Sequence, residues 1–270
     1  MSQNLHVFTA GVAAEVTGLT IDRWNVRRPD CPARMTRGGS VEGVRRYLAG
    51  EGFDLLILAD DALIPLLLGP GECSGYVVFA GNRMVLAASP DKPELTISSG
   101  DWLDKILDPG TRFFHFDPKA DPGGYRAVLT MTLADRFEPG LTDKLLNHPG
   151  RLIQKPLKNP ADKPDFDYFF LYYSMAKKRG LSMAELPEVM DLSQDSLASV
   201  YATARFEIDD RTTVVGTPIA HALTVPARAE HKEAAREFGE MFLENDFEAF
   251  NFPVRRKSFG TGLTFQPGGN

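Results

Sequence analysis

Hydrophobic and polar positions along the first eighty residues predict short strands that alternate with helices. Leu5–Thr9 has the pattern of a strand, and a helical pattern follows near Val12–Trp24. A short strand near Pro32–Met35 precedes a helix from Ser40, and the continuous apolar run Phe53–Ala59 is typical of a buried strand. This alternation indicates an α/β protein with a mostly parallel sheet.

The rest of the chain continues in the same style. A loop is predicted at Gly69–Gly71, and a loop or irregular helix at Lys155–Asp165. The pattern alone is compatible with one doubly wound sheet. The predicted elements are strands at Tyr76–Phe79, Met84–Ala88, Arg112–Phe116, Tyr168–Tyr172 and Ile219–Val225, a hairpin of Ala204–Ile208 and Thr212–Val215, and helices at Trp102–Leu107, Gly123–Phe137 and Glu230–Asn245.

One junction between a predicted strand and a predicted helix has the features of an anion site. The loop after the strand closes on Asp121, Pro122, Gly123 and Gly124. Asp is a favoured N-cap, and Pro suits the first helical turn, where its missing N–H costs nothing. The glycines allow close backbone approach, and a helix N-terminus offers N–H groups to an anion. An ordinary capped helix is the alternative interpretation.

Two other junctions repeat this design. Gly11 follows the first predicted strand, and Ser40 is placed as the N-cap of the helix after the run RGGS. Each junction could direct backbone N–H groups, and in one case a hydroxyl, to a common point. Three such junctions in one chain favour a binding site over coincidence.

Composition and charge narrow the class of protein. Hydrophobic residues make up 43% and charged residues 24%, as in soluble globular proteins. The net charge of −6 does not favour nucleic acid or an acidic membrane surface as a partner. No apolar run approaches the ~20 residues that span a bilayer. The start MSQN lacks the features of a signal peptide, so a removed leader and a cytosolic protein are both compatible with it.

Candidate chemistry outside the junctions is sparse. Cys31 and Cys73 are compatible with a disulfide or with two buried thiols, and no cysteine or histidine spacing indicates a metal site. An acid–base pair of His115 and Asp117 is the main enzymatic alternative, together with the acidic pair that follows Ala59. No nucleophile lies nearby in sequence, and no GxSxG, HExxH or phosphate-loop motif occurs. The sequence therefore predicts a binding protein without cofactor, and not an enzyme.

Eight segments occur in an order that resembles a known family: FTAG, GGSVEGVR, DLLILADDALIP, YVVFAGNRMVLA, DPGGYRAVL, DYFFLYYSMA, LPEVMDLS and GTPIAHALTVP. Over nearly its whole length the chain is similar to the substrate-binding proteins of molybdate/tungstate ABC transporters, especially their archaeal-type branch. The resemblance implies the periplasmic-binding-protein type II fold, with two β-α lobes joined by two crossover strands. The crossings are expected near Phe79–Val85 and Gly216–Ala222. Lobe I would then comprise residues 1–82 and 216–270, and lobe II residues 83–215.

The resemblance also implies how the protein works. A small oxyanion is expected to be held by groups at helix N-termini, and the partner is expected to be an ABC transporter permease. A monomer with a periplasmic or extracytoplasmic location is expected, with Arg126 as a structural residue. The implied ligand-binding residues are Gly11, Val12, Ser40, Asp121, Pro122, Gly123, Gln154 and Tyr172.

Three positions depart from the family pattern. Val12 stands where Ser is usual, Gln154 stands where archaeal-type members carry Glu, and Leu58 replaces a small polar residue. A neutral amide cannot coordinate the metal of an oxyanion as a carboxylate can, so a tetrahedral anion held by hydrogen bonds is expected. A divergent binding or sensor domain for another anion, such as sulfate or an organic anion, is the alternative.

Overall fold

The computed structural model describes residues 4–154 and 164–261. The chain separates into two compact units, one formed by Met1–Gly81 and Ala220–Asn270 and the other by Asn82–Ile219. The strands are β1 Leu5–Ala10, β2 Ala33–Gly38, β3 Leu55–Leu58, β4 Gly75–Gly81, β5 Met84–Ala88, β6 Phe113–His115, β7 Arg151–Ile153, β8 Tyr168–Tyr172, β9 Met183–Glu185, β10 Arg205–Asp209, β11 Thr212–Val215, β12 Ala220–Thr224 and β13 Lys257–Gly260.

The α-helices are shorter and more numerous than the sequence pattern predicts. Short 3₁₀ turns supplement them, among them Gly11–Ala13 and Ala134–Arg136. The α-helices are α1 Ala14–Arg27, α2 Ser40–Leu48, α3 Gly69–Glu72, α4 Trp102–Leu107, α5 Pro122–Thr132, α6 Leu141–Leu146, α7 Tyr173–Lys178, α8 Glu188–Asp191, α9 Ala198–Tyr201 and α10 Lys232–Leu243.

A six-stranded sheet forms the first unit, in the order β13-β4-β12-β3-β1-β2. Strand β1 runs parallel to both β2 and β3, and β12 pairs with β3 and β4 in the antiparallel sense. From β1 the chain passes to β2 on one side and then returns to β3 on the other side of β1. Because crossovers between parallel strands are right-handed, α1 and α2 lie on opposite faces of the sheet.

Both faces of this sheet are covered by apolar side chains. Val7 packs with Val16 of α1 and with Phe238 of α10 in one cluster of buried residues. Phe8 lies on the other face, where its ring occupies the space in which a Cβ on Gly43 of α2 would lie, 2.2 Å from the nearest ring carbon. A glycine on α2 therefore lets this helix approach the sheet closely.

The second unit repeats the arrangement around β6. Its five-stranded sheet has the order β7-β6-β8-β5-β9, with β6 parallel to β7 and β8 and with β5 antiparallel to β8 and β9. Here too the chain leaves the central strand to one side and returns on the other. Strands β10 and β11 form a separate antiparallel hairpin.

Helix α5 is the most deeply buried helix that the structure describes. Every residue from Pro122 to Met131 is buried. Gly124 makes this possible, because a Cβ at its position would lie 2.6 Å from the carbonyl carbon of Asp117 and from the carbonyl oxygens of Phe116 and Asp117. Helix and loop backbone are thus in direct contact.

Most predicted elements are confirmed, with differences at their ends. The helix Trp102–Leu107 and the strand Tyr168–Tyr172 have the predicted bounds. The predicted helix Gly123–Phe137 is α5 followed by a 3₁₀ turn, because the chain tightens after Leu133. The loop prediction at Gly69–Gly71 is wrong, since a π-helical turn at Ile64–Leu68 continues there into α3.

Three of the short strands in the described residues, β7, β9 and β13, were not predicted. β7, β9 and β13 have three or four residues each, too few to show a hydrophobic period. Residues 155–163 of the predicted loop and the residues after Thr261 lie outside the described part of the chain. Cys31 and Cys73 are free thiols, so they do not form the disulfide considered above. No helix in the described ranges is long and apolar enough to cross a membrane.

We expect Gly124→Ala to reduce the free energy of unfolding by about 1–3 kcal/mol, because the new methyl group meets fixed backbone atoms of Phe116 and Asp117. Urea unfolding at neutral pH measures this effect. Gly100→Ala is the matched control in the same unit, since its methyl group would approach only the Ser98 hydroxyl, at 3.8 Å. Equal unfolding curves for the two variants would contradict the interpretation.

Candidate functional site

In the first unit, the carboxyl ends of three parallel strands meet at one edge of the sheet. Gly11 follows β1, Ser40 follows β2 and Ala59 follows β3. In open α/β sheets, ligands bind outside the carboxyl ends of strands, at the point where the strand order reverses. β1 occupies that point here. The structure thus brings three predicted site residues, Gly11, Val12 and Ser40, to the same edge.

The backbone after β1 is shaped to present N–H groups. Ala10 is extended, and the 3₁₀ turn Gly11–Ala13 leads directly into α1. The first N–H groups of such a helical segment have no partner within the helix. The side chain of Val12 packs against the hydrophobic core of the unit. At this position, only the backbone can therefore serve a ligand.

Ser40 is not the N-cap that the sequence predicts. It is the first residue of α2, and the extended Gly39 is the N-cap. The Ser40 hydroxyl oxygen accepts a hydrogen bond from the N–H of Ala59, with a distance of 2.9 Å between Oγ and N. This N–H lies just beyond the end of β3, where the ladder of the sheet has stopped. Ser40 is completely buried, and a hydroxyl that accepts one bond still has a proton to donate.

Sequence reasoning missed one charged residue at this edge. Arg37, the residue before Gly38 on β2, is paired in register with Thr9 of β1. Its guanidinium lies beside Gly11, because a Cβ built there would be 3.4 Å from both Nε and Nη2. The sequence shows an arginine in the run RGGS, which could have indicated an anion-binding residue. The register of β1 against β2, which brings that charge to Gly11, is a tertiary feature.

In the second unit, the carboxyl ends of β6, β7 and β8 also meet at one edge. The loop after β6 leads to Asp121 and the first turn of α5, where Pro122 and Gly123 lie. Gln154 follows β7, and its N–H donates to the carbonyl oxygen of His115 at the end of β6, 2.9 Å away. Tyr172 is the last residue of β8 and the N-cap of α7. The five predicted residues of this unit therefore share one edge of its sheet.

Asp121 is the helix cap that the sequence predicts. Its Oδ1 accepts a hydrogen bond from the N–H of Gly123 over 2.7 Å. Burial raises the pKa of Asp121 from 3.8 to about 6, although the bond from Gly123 acts in the opposite direction. A proton on this carboxyl group is therefore within reach of mildly acidic conditions.

The cap changes which donors this helix can offer. The N–H of Gly123 is given to the side chain of Asp121, and the N–H groups of Gly124 and Tyr125 donate to the Asp121 carbonyl oxygen. Pro122 has no N–H. The first turn of α5 thus directs its N–H groups at Asp121, so a ligand at this edge would meet Asp121 rather than open N–H groups.

Arg126 has the structural role expected of it. Its guanidinium is buried in the second unit, where Nη1 donates to the carbonyl oxygen of Thr217 over 2.7 Å and Nη2 donates to the Thr217 hydroxyl over 2.9 Å. Thr217 lies in the segment before Ala220, where the chain passes to the other unit. α5 is therefore tied to that segment by one side chain.

His115 and Asp117 do not form an acid–base pair. In His115, Nε2 accepts from Nε of Arg151 at 3.1 Å and Nδ1 lies 2.8 Å from the carbonyl oxygen of Phe116. Burial lowers the pKa of this imidazole to about 4. The carboxylate of Asp117 accepts from the N–H of Lys119. Among residues 4–154 and 164–261, no group of three or more His, Cys, Asp or Glu side chains could hold a metal ion.

Comparison with known proteins agrees with this architecture. The sequence profile described as bacterial extracellular solute-binding protein matches residues 5–246. The chain belongs to this family. An uncharacterized solute-binding protein of Methanoculleus marisnigri is 32% identical over 239 residues, which cover 76% of this chain and 67% of the relative.

This solute-binding protein also resembles proteins with named ligands. The molybdate/tungstate-binding protein WtpA of Pyrococcus abyssi is 29% identical over 255 residues, covering 80% of this chain and 74% of WtpA. The periplasmic molybdate-binding protein of Azotobacter vinelandii superposes with a TM-score of 0.67 at 16% identity, covering 93% of this chain and 99% of that structure. The structural match confirms the predicted periplasmic-binding-protein fold.

We expect the stability of the wild type to fall relative to Asp121→Asn as pH rises from about 4 to 7. The folded pKa of about 6 lies above the ordinary 3.8, so folding favours the protonated carboxyl group. This contribution is fully present below pH 4 and is lost as pH rises through 6. It amounts to at most about 3 kcal/mol, and to less where water reaches the half-buried group.

Urea unfolding of both proteins across this pH range measures the difference. Asparagine keeps an acceptor oxygen for the N–H of Gly123, so the helix cap is retained in the variant. Parallel stability curves for the two proteins would show that Asp121 has an ordinary pKa.

Proposed function

We propose that this protein is the extracytoplasmic binding component of an ABC importer and captures a small tetrahedral oxyanion of the molybdate or tungstate type. The observation that carries the proposal is the repeated strand order. In both units a central parallel strand, β1 or β6, ends where the order reverses and leads into a helix. The named ligands of WtpA and of the Azotobacter vinelandii protein support the choice of anion.

The two units have different donors at the edges of their own sheets. The first unit would offer the backbone N–H groups of Gly11 and Val12 and the hydroxyl of Ser40. The second unit would offer the Tyr172 hydroxyl, the Gln154 amide and a protonated Asp121 carboxyl group, since the cap occupies the N–H of Gly123. These groups can bind and release an anion. They include no nucleophile placed beside a base, so we propose that no turnover occurs.

The proposal extends to organisation and location. The crossover segments Phe79–Val85 and Gly216–Ala222 are proposed to join lobe I, residues 1–82 and 216–270, to lobe II, residues 83–215. The contact boundaries after Gly81 and Ile219 fall inside these two segments. A monomer that delivers its ligand to a membrane permease in the periplasm or outside the cell is the corresponding assembly.

A binding or sensor domain for a different anion, such as sulfate or an organic anion, is the second candidate. Two observations favour it. Val12 has no hydroxyl to offer, and its partly buried side chain packs against the core. Gln154 is exposed and neutral at the carboxyl end of β7, so it adds no anionic oxygen to a metal centre.

We expect calorimetry to detect binding of at least one of molybdate, tungstate, sulfate, phosphate and thiosulfate. Sulfate keeps its double negative charge from pH 5 to 8, so a change in its affinity reports on the protein. If the protonated Asp121 binds the anion, affinity should be at least about tenfold higher at pH 5 than at pH 8.

The Asp121→Asn variant tests whether Asp121 causes the pH dependence of binding. In Asp121→Asn the affinity for sulfate should vary less with pH than in the wild type. A folded wild-type protein that binds none of the five anions at either pH would overturn the proposed function. Binding that is equal at both pH values would remove only the role of Asp121.

We expect Gln154→Glu to weaken sulfate binding at pH 8 by about 10-fold, because a carboxylate then faces a dianion. Molybdate and tungstate should be affected less, since their metal centres can accept a further oxygen ligand. X-ray absorption should show four-coordinate metal in the wild type. Gln154→Ala, which removes the amide without adding charge, is the control. Six-coordinate metal in the wild type would contradict the tetrahedral binding mode.

A further inference from the structure

Arg37 lies where the first unit would meet an anion. It projects from the carboxyl end of the edge strand β2, in register with Thr9 of β1. Because Gly11 has no side chain, the guanidinium comes to 3.4 Å from the position of its missing Cβ, with Nε and Nη2 nearest. The cation therefore lies directly against the turn that opens α1.

This position is electrostatically unfavourable for a cation with no partner. The N-terminal end of a helix carries partial positive charge, which stabilises anions and repels cations. Other arginines of the same unit are paired with carboxylates: Arg28 with Glu237 and Arg46 with Glu51, both at 2.6 Å. Within the part of the chain that the structure describes, Arg37 has no hydrogen bond or ion pair, and its side chain is exposed.

The Arg37 guanidinium and the N-terminal end of α1 are both positive and lie side by side. An anion bound next to Gly11 would stabilise both. We propose that Arg37 binds the transported anion directly and makes the site selective for dianionic tetrahedral oxyanions. This inference rests on the proposed function. The planar guanidinium can donate two parallel N–H bonds to two oxygens of one tetrahedral anion, which a single hydroxyl cannot do. Arg37 thereby compensates for the hydroxyl that Val12 does not supply.

A charged donor changes how the site responds to solution conditions. Binding that depends on a guanidinium is weakened by salt, because ions screen an exposed charge. Binding by neutral N–H and O–H donors is much less sensitive to screening. The affinity of the wild type for sulfate and tungstate should therefore fall with added sodium chloride, and a variant without the charge should show a smaller decrease.

The test compares Arg37→Gln, Arg37→Lys and Arg34→Gln with the wild type. Arg34 lies three residues earlier on the same exposed strand, paired in register with His6, so Arg34→Gln removes the same charge away from Gly11. Calorimetry with sulfate and with tungstate is carried out at low and high sodium chloride. Thermal unfolding establishes that each variant is folded.

We expect Arg37→Gln to lower the affinity for both anions by about 10- to 100-fold at low salt. The affinity of this variant should also depend less on salt. The affinity of Arg37→Lys should lie between those of Arg37→Gln and the wild type, because lysine keeps the charge but not the planar guanidinium. The affinity of Arg34→Gln should stay within about twofold of the wild-type affinity, since screening weakens the effect of a distant exposed charge.

The outcomes separate this inference from the proposed function. Wild-type affinity in Arg37→Gln, with a folded protein, would overturn the role of Arg37 and leave the oxyanion-binding function intact. Equal losses in Arg37→Gln and Arg34→Gln would also overturn it, because they would indicate a general effect of net charge. Absence of binding by the wild type would instead overturn the proposed function itself.

Discussion

The handedness of crossovers between parallel strands is the constraint on which this structure depends. Because each crossover is right-handed, a chain that moves to one side of a strand and then to the other must place its helices on opposite faces. A gap then remains at the carboxyl end of the central strand. β1 and β6 both occupy that position, and each is followed by a helical segment. The position of both edges thus follows from the topology of the chain and does not depend on particular side chains.

The two edges differ in chemistry although they share a topology. The first has a bare turn at Gly11, a buried hydroxyl at Ser40 and the cation of Arg37. The second has a carboxyl group with a raised pKa, which accepts the N–H of Gly123, while the Asp121 backbone carbonyl oxygen accepts the next two N–H groups of the helix. One edge therefore carries the fixed charge of an arginine, whereas the other has a carboxyl group whose charge changes with pH. Equivalent positions in two similar folds need not have equivalent functions.

Local rules predicted the second edge better than the first. The cap at Asp121 depends on residues that are adjacent in sequence, so Asp, Pro and Gly in that order were sufficient to predict it. Ser40 was wrongly predicted as a cap because the extended Gly39 opens the helix, and because Ala59, far along the chain, needs an acceptor. Arg37 reaches Gly11 only through the register of two strands. Such pairings are set by tertiary structure and have no local signal.

The position of β12 has a consequence for the order in which the chain can fold. This strand lies between β3 and β4 in the first sheet, yet the whole second unit separates it from them in sequence. When the chain has emerged from the ribosome as far as Gly81, the first sheet therefore still lacks its central strand β12. The second unit, in contrast, is contiguous and can complete its sheet as soon as Glu185 has emerged. Strands β1 to β4 are thus made before the second unit but complete their sheet after it, because they must wait for β12.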